Sequence, residues 1–299
     1  MPSSDLFDRL ARLRVDRSRG EAMGAAPHKP LLLLTLADMA EAGELTGPEV
    51  VLSPGVAFRF AGYWPAVVER RQVGPDVRMP FHHLAGDGLA EPFNERGRPS
   101  GERNATAMIR LDGDLYDLLT SEAGRRDLRR LMVGTYFPDD ERAWLAEMLD
   151  LPELASADEL RRELAGEPRR PDVRVARFRV EVVAAYDYRC ALTGRRLLTV
   201  DALSLVEAAH IHRFADGGGN ATTNGLALTR DAHALFDMGL WTLTDALTVH
   251  VAGAAYVEDW PSGPTLASFA GRRIALPRDP AKHPDPERVG WHRANVYLG

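Results

Sequence analysis

The chain has 299 residues, a net charge of −6, 45% apolar and 27% charged residues, and one cysteine. That length is about twice a ~150-residue domain, so two domains with separate cores are expected, and the composition excludes a disordered, collagen-like or repeat-tract chain. The lone Cys190 excludes an intramolecular disulfide and any site built on paired Cys-x-x-Cys knuckles, and it suits a reducing compartment.

Leu6, Leu10 and Leu13 follow Ser3, Ser4 and Asp5 at helical spacing, which predicts an amphipathic first helix. The same segment alternates charges where a signal peptide would carry its apolar stretch, so a cytoplasmic location is expected. Pro27-His28-Lys29-Pro30 then leads into Leu31, Leu32, Leu33, Leu34, Leu36 and Met39. Pro30 suits the first turn of a helix, and the run is apolar nearly all round, so this is a core helix ending near Gly43. Asp38 and Glu41 arrive too soon for a bilayer crossing of about 20 apolar residues, so no membrane association is expected.

From 48 to 93 the chain breaks into short apolar pieces such as VVLSPGVAFRF, interrupted by Gly and Pro, which predicts strands, turns and loops rather than long helices. Helical patterns return over 115–132 and 139–149, giving a mixed α/β first domain. Residues 152–173 combine Pro, Gly and Ser with many charges and read as the join, which separates domains at 1–165 and 166–299. After it, 175–186 reads as a helix with Val175, Phe178, Val182 and Ala185 on its apolar face. Eight Arg (169, 170, 174, 177, 179, 189, 195 and 196) face three acids over 168–198, a local charge of +5 in an acidic chain. Such a run is ordinarily a solvated face, and it gains weight only beside a site that acts on nucleic acid.

Residues 204–239 read SLVEAAHIHRFADGGGNATTNGLALTRDAHALFDMG. Leu205, Val206, Ala208 and Ile211 predict a short strand, Gly217-Gly218-Gly219-Asn220 a loop, Gly225-Leu-Ala-Leu a second strand, and 230–238 a helix. On that helix His233 and Asp237 stand at i and i+4, so an imidazole and a carboxylate share one face and can grip one ion. This order resembles the ββα-metal nucleases, specifically the HNH endonuclease family. His210, Asn224 and His233 supply the three letters, and CALTG, EAAHIH, NGLALTRDAHALFDMG and WHRANVY also look like that family.

The resemblance covers about the last 125 residues. It implies that His210 is the general base, Asn224 fixes the loop, and His233 with Asp237 holds one divalent ion, Mg²⁺ or Mn²⁺. Many members carry an acidic metal ligand just before the base, and here that residue is Ala209. The ion is then held by two side chains with phosphate and water, or His210, His212 or Glu207 assists. Glu207 is the weakest of these, because strand alternation puts it and His210 on opposite faces. Packing roles are expected for His212, His250, His283, His292 and Cys190.

In the first domain, Pro27-His28-Lys29-Pro30 with its leucines, Met79-Pro80-Phe81-His82-His83-Leu84 and Tyr136-Phe137-Pro138 resemble the sulfur-binding domains of restriction enzymes that recognise phosphorothioate DNA. This resemblance covers roughly residues 5–150. It implies that Pro80 and its neighbours touch the sulfur while His28 and Lys29 engage the phosphate charge. Met79 stands where that family has an aromatic residue, and His83 where it has a small one.

The whole chain thus reads as an α+β protein of two domains, an N-terminal mixed α/β DNA reader and a C-terminal ββα-metal nuclease. The expected activity is that of a modification-dependent, type IV-like restriction endonuclease, cutting double-stranded DNA with a single divalent metal and directed to phosphorothioate DNA. A homodimer would supply paired active sites for both strands. The alternatives are a DNA-binding protein with a structural or decayed ββα unit, and an HNH nuclease without modification preference.

Overall fold

The computed structural model describes the chain except residues 1–3, 16–25, 68–73, 155–170, 200, 254–255 and 262. The expected boundary at 165, most of the join, Ser3, Arg169 and Arg170 lie outside the described residues. By its contacts the chain divides into two compact units, Met1–Val173 with Val200–Ala202, and Arg174–Thr199 with Leu203–Gly299.

The first unit begins with α1 (Ser4–Ala11), whose Leu6 and Leu10 are fully buried, as the spacing predicts. Leu13 is buried just beyond the helix end. In α2 (His28–Glu41) Leu31 to Leu34 and Leu36 have no exposed surface, which makes it the central helix, and Gly43 turns the chain away in the left-handed region. Strands β1 (Glu49–Val51), β2 (Ala90–Phe93) and β3 (Met108–Leu111) form an antiparallel sheet in the order β1-β3-β2, with Ile109 opposite both Val50 and Pro92.

The remaining α-helices among the described residues of this unit are α3 (Pro54–Gly62), α4 (Arg78–His83), α5 (Gly113–Thr120), α6 (Glu122–Tyr136) and α7 (Asp139–Met148). Arg129 of α6 donates to Asp38 (2.7 Å) and Glu41 (2.6 Å) of α2, and the Tyr63 hydroxyl donates to Asp38 as well. Burial pushes the Asp38 carboxyl up, and Arg129 opposes that shift.

Two segments depart from the sequence expectation. VVLSPGVAFRF is half helix: Ser53 accepts a hydrogen bond from the Val56 amide and Pro54 occupies the first turn of α3, so residues that read as breaks are a helix start. The pattern over 115–132 is two helices, because Ser121 leaves helical geometry and caps α6 through the Gly124 amide at 3.0 Å. A Cβ on Gly124 would stand 2.2 Å from the Leu118 carbonyl oxygen, so the break requires glycine.

The second unit contains α8 (Pro171–Ala185) from Arg174 onward, the antiparallel pair β4 (Val206–His210) and β5 (Gly225–Thr229), α9 (Arg230–Asp237), the pair β6 (Trp241–Leu243) and β7 (Val249–Val251), and α10 (Pro286–Asn295). Phe178 and Val182 of α8 are buried as expected, but Val175 is 48% exposed, so the apolar face is shorter than its periodicity suggested. His292 is buried, bonded to Thr242 (2.9 Å) and the Phe236 carbonyl (3.2 Å), and stacked on Phe236; burial drives its pKa down to about 4. Cys190 is buried beside Thr229. No helix among the described residues is long and apolar enough to cross a membrane.

Candidate active site

His210 closes β4, and its imidazole lies flat on Phe178 of α8, with ring centroids 3.9 Å apart and planes 9° apart. Its Nε2 is 2.8 Å from Oδ1 of Asn220 in the loop between the strands. An amide oxygen only accepts, so this contact keeps the ring proton on Nε2 and leaves the Nδ1 lone pair free to take a proton. Burial lowers the His210 pKa, and the nearby charge of His233 adds to that, while the Asn220 bond and Asp237 act against it. The result is an imidazole held neutral, and therefore basic, at neutral pH.

Asn224 is fully buried and uses both ends of its amide. Oδ1 accepts from the His212 amide at 2.8 Å, and Nδ2 donates to the carbonyls of His212 (2.9 Å) and Gly219 (2.7 Å). These bonds tie the chain just after β4 to the glycine loop that carries Asn220. The loop packs so closely that a Cβ on Gly218 would be 1.9 Å from the His212 carbonyl oxygen.

On α9, His233 Nε2 and Asp237 Oδ2 are 3.3 Å apart, as the i, i+4 spacing predicts. The other ring nitrogen, Nδ1, is 2.8 Å from Oε1 of Glu207 on β4. Arg213 caps the end of α9 by donating to the Asp237 carbonyl at 2.5 Å. Ala209, buried and without donor atoms, adds nothing to this constellation.

Among the described residues no group of three or more His, Cys, Asp or Glu is arranged to hold a metal ion. Glu207, His233 and Asp237 are contiguous, but the two carboxylates face opposite edges of the imidazole. The His233–Asp237 pair alone suits an ion: adjacent donors around a divalent cation with bonds of ~2.1 Å are roughly 3 Å apart. A two-ligand site leaves positions for water and phosphate, in keeping with the chemistry of Mg²⁺ and Mn²⁺.

The residues assigned to DNA reading in the first unit are placed less uniformly. His28 opens α2, partly buried beside the Trp64 ring. Lys29 is 8% exposed, with Nζ 2.5 Å from Asp87 and 2.9 Å from the Arg14 carbonyl oxygen, so its charge is neutralised inside the unit and does not face an external phosphate. Pro80 is buried within α4, contrary to a ring lying at the ligand surface. Met79 is half-buried and His83 exposed, and burial followed by the positive charges of His82, Lys29 and Arg103 lowers the His83 pKa.

Reading the sequence did not single out Asn220 or Phe178, and it ranked Glu207 low. Asn220 had a signal, since an Asn after three glycines is a polar side chain on a loop beside the base. Phe178 had none beyond its apolar periodicity.

A strand ending in a histidine, a loop stitched by a buried asparagine, a second strand, and a helix bearing His and Asp together form a ββα unit. Residues 190–244, which contain β4, β5, α9 and β6, match the family model described as HNH endonuclease. Among solved structures the chain is similar to one described as "Modification dependent TagI restriction endonuclease", with 24% identity and a TM-score of 0.32. That match covers 46% of this chain and 44% of the other, so the chain spans less than half the length of this neighbour. No curated protein matches the chain.

Proposed function

We propose that the chain is a DNA endonuclease whose second unit hydrolyses phosphodiester bonds with one divalent ion. The observation that carries this reading is the His210 imidazole, held by Asn220 at Nε2 with Nδ1 unclaimed by that bond, together with the His233–Asp237 pair on α9, inside the segment that matches the HNH endonuclease family. His210 takes the proton of the attacking water at Nδ1. Phe178 and Asn220 hold the ring in one orientation, and Asn224 holds the loop that carries Asn220. His233 and Asp237 would bind Mg²⁺ or Mn²⁺, which when bound supplies positive charge to the phosphate and the departing oxygen.

The first unit, about residues 1–165, is read as a domain that directs cleavage to modified DNA, with phosphorothioate as the modification. Sulfur in place of a non-bridging oxygen is larger and a poorer hydrogen-bond acceptor, so a pocket with apolar walls admits it while penalising oxygen, which would lose its water there. His28, Met79 and His83 keep exposed surface for such a contact, and Arg103 near His83 favours a phosphate backbone. A homodimer, acting in the cytoplasm, would bring two nuclease units to one duplex.

Digestion of phosphorothioate and ordinary duplexes with Mn²⁺, Mg²⁺ or EDTA tests the reading. Metal-dependent cutting of the modified duplex, lost in His210→Ala, is expected. Absence of cutting with every metal, or undiminished cutting by His210→Ala, would overturn the catalytic assignment. Ala209 favours the rival reading, a DNA-binding protein with a decayed site, which predicts retained, salt-sensitive binding without hydrolysis.

A further inference from the structure

We infer that Glu207 is a positioning residue for His233: its carboxylate keeps the ring proton on Nδ1, so that Nε2 turns its lone pair toward Asp237. The inference rests on the reading of His233 and Asp237 as metal-binding side chains. A neutral imidazole carries one N–H, and only the other nitrogen can bind a cation. His233 has a carboxylate on each side, Glu207 Oε1 at 2.8 Å from Nδ1 and Asp237 Oδ2 at 3.3 Å from Nε2. The shorter contact takes the hydrogen bond. The longer one, one helical turn away on α9, is left as the open jaw of a cation site. Because the two nitrogens point to opposite edges of the ring, Glu207 does not meet the same ion through His233, which separates its role from that of a third ligand.

The burial of β4 explains how Glu207 gets there. Val206 and Ala209 are buried while Glu207 keeps exposed surface, and from its place opposite Leu228 in the unbroken β4–β5 register its carboxylate reaches His233 on α9 at 2.8 Å. The second Glu207 oxygen lies 3.7 Å from Nε of Arg230 in the first turn of α9, an arginine that is almost fully exposed, so the short contact to His233 is the one that fixes the carboxylate. A carboxylate behind a metal-binding histidine orients the ring and raises its basicity, and loss of such a partner typically costs about 10–100-fold in metal affinity.

The test uses the full-length chain. Nitrogen-15 spectra of histidine-labelled, metal-free protein, at a pH where the ring is neutral, are expected to show His233 protonated at Nδ1, with the signal assigned by its loss in His233→Gln. In Glu207→Ala the population should move toward the Nε2–H form, with Glu207→Gln between the two, while the circular dichroism spectrum stays that of the parent chain. Calorimetric Mn²⁺ affinity should fall about 10–100-fold in Glu207→Ala. An unchanged tautomer in Glu207→Ala, or an unchanged affinity, overturns the inference. A parent chain that shows the Nδ1–H signature, with its Glu207 dependence, but takes up no Mn²⁺ sinks the metal reading and leaves the anchoring of the ring in place.

Discussion

His210 faces Gly225 across β4 and β5, and the missing side chain at Gly225 gives Phe178 the room to lie against the His210 ring. A Cβ at Gly225 would stand 2.3 Å from Val182 Cγ2 and 3.0 Å from Phe178 Cζ, both buried and unable to retreat far. Gly225→Ala should therefore cost about 1–3 kcal/mol in urea unfolding, the usual range for overpacking a core. It should also lower the cleavage rate, because the displaced ring is the one that orients His210. Parent-like stability in this variant would mean that α8 shifts without strain.

The order of strand, loop, strand and helix was legible because each piece carries a local cue: short apolar runs, a glycine cluster, and an i, i+4 pair. His210, Asn224, His233 and Asp237, the candidates those cues point to, lie in that same ββα unit. Glu207 and Phe178 could not be placed by local cues, since Glu207 meets His233 26 positions away and Phe178 lies on a helix that only the fold brings to His210. Lys29 misled in the opposite direction. A basic residue between two prolines reads as exposed, and only Asp87, 58 positions on, shows that its charge is neutralised inside. Ser53 and Pro54 carry helix-start chemistry, but the surrounding Gly and Pro resemble loop punctuation, so α3 was hidden.

The pH dependence of cleavage should report His210. Burial moves its pKa below the ordinary imidazole value of about 6.5, so the ring stays unprotonated further into acid than a free histidine, and the acid limb of the rate profile should fall below that value. The bond to Asn220 opposes this shift, so Asn220→Ala should move the limb further toward acid while lowering the plateau through loss of ring orientation. Asn220→Asp should move it the other way, since a carboxylate favours the imidazolium. Single-turnover cleavage across pH measures all three. A limb at the same pH in all of them would remove Asn220 from the site.

The Lys29–Asp87 pair separates stability from DNA binding. The two side chains are 10% and 3% exposed and their charged atoms are 2.5 Å apart, so truncating either strands the other charge in the interior. Lys29→Ala should lower the unfolding free energy by about 3–5 kcal/mol. The double replacement Lys29→Met with Asp87→Leu should recover most of that loss, since an apolar pair of similar volume often matches a buried ion pair. If Lys29→Ala instead kept its stability and lost DNA affinity alone, the lysine would be a phosphate contact after all.

His292 gives the second unit a built-in acid sensitivity whose sign is set by its burial. Unfolded, the ring takes a proton near pH 6.5; folded, packed against Phe236 and bonded to Thr242 and the Phe236 carbonyl, it resists protonation down to about 4. Between those values the unfolded chain binds more protons, so stability rises with pH there. The contribution is complete above about 6.5 and is lost as the pH falls through about 4, amounting to about 3 kcal/mol over the window. His292→Gln can still bond Thr242 and the Phe236 carbonyl but has no proton to take up. It should be less stable than the parent chain at neutral pH, with a gap that narrows on acidification because only the parent pays for the imidazolium. Urea unfolding of both chains at a series of pH values measures that gap, and a gap of constant size would show that His292 protonates as readily inside the fold as outside it.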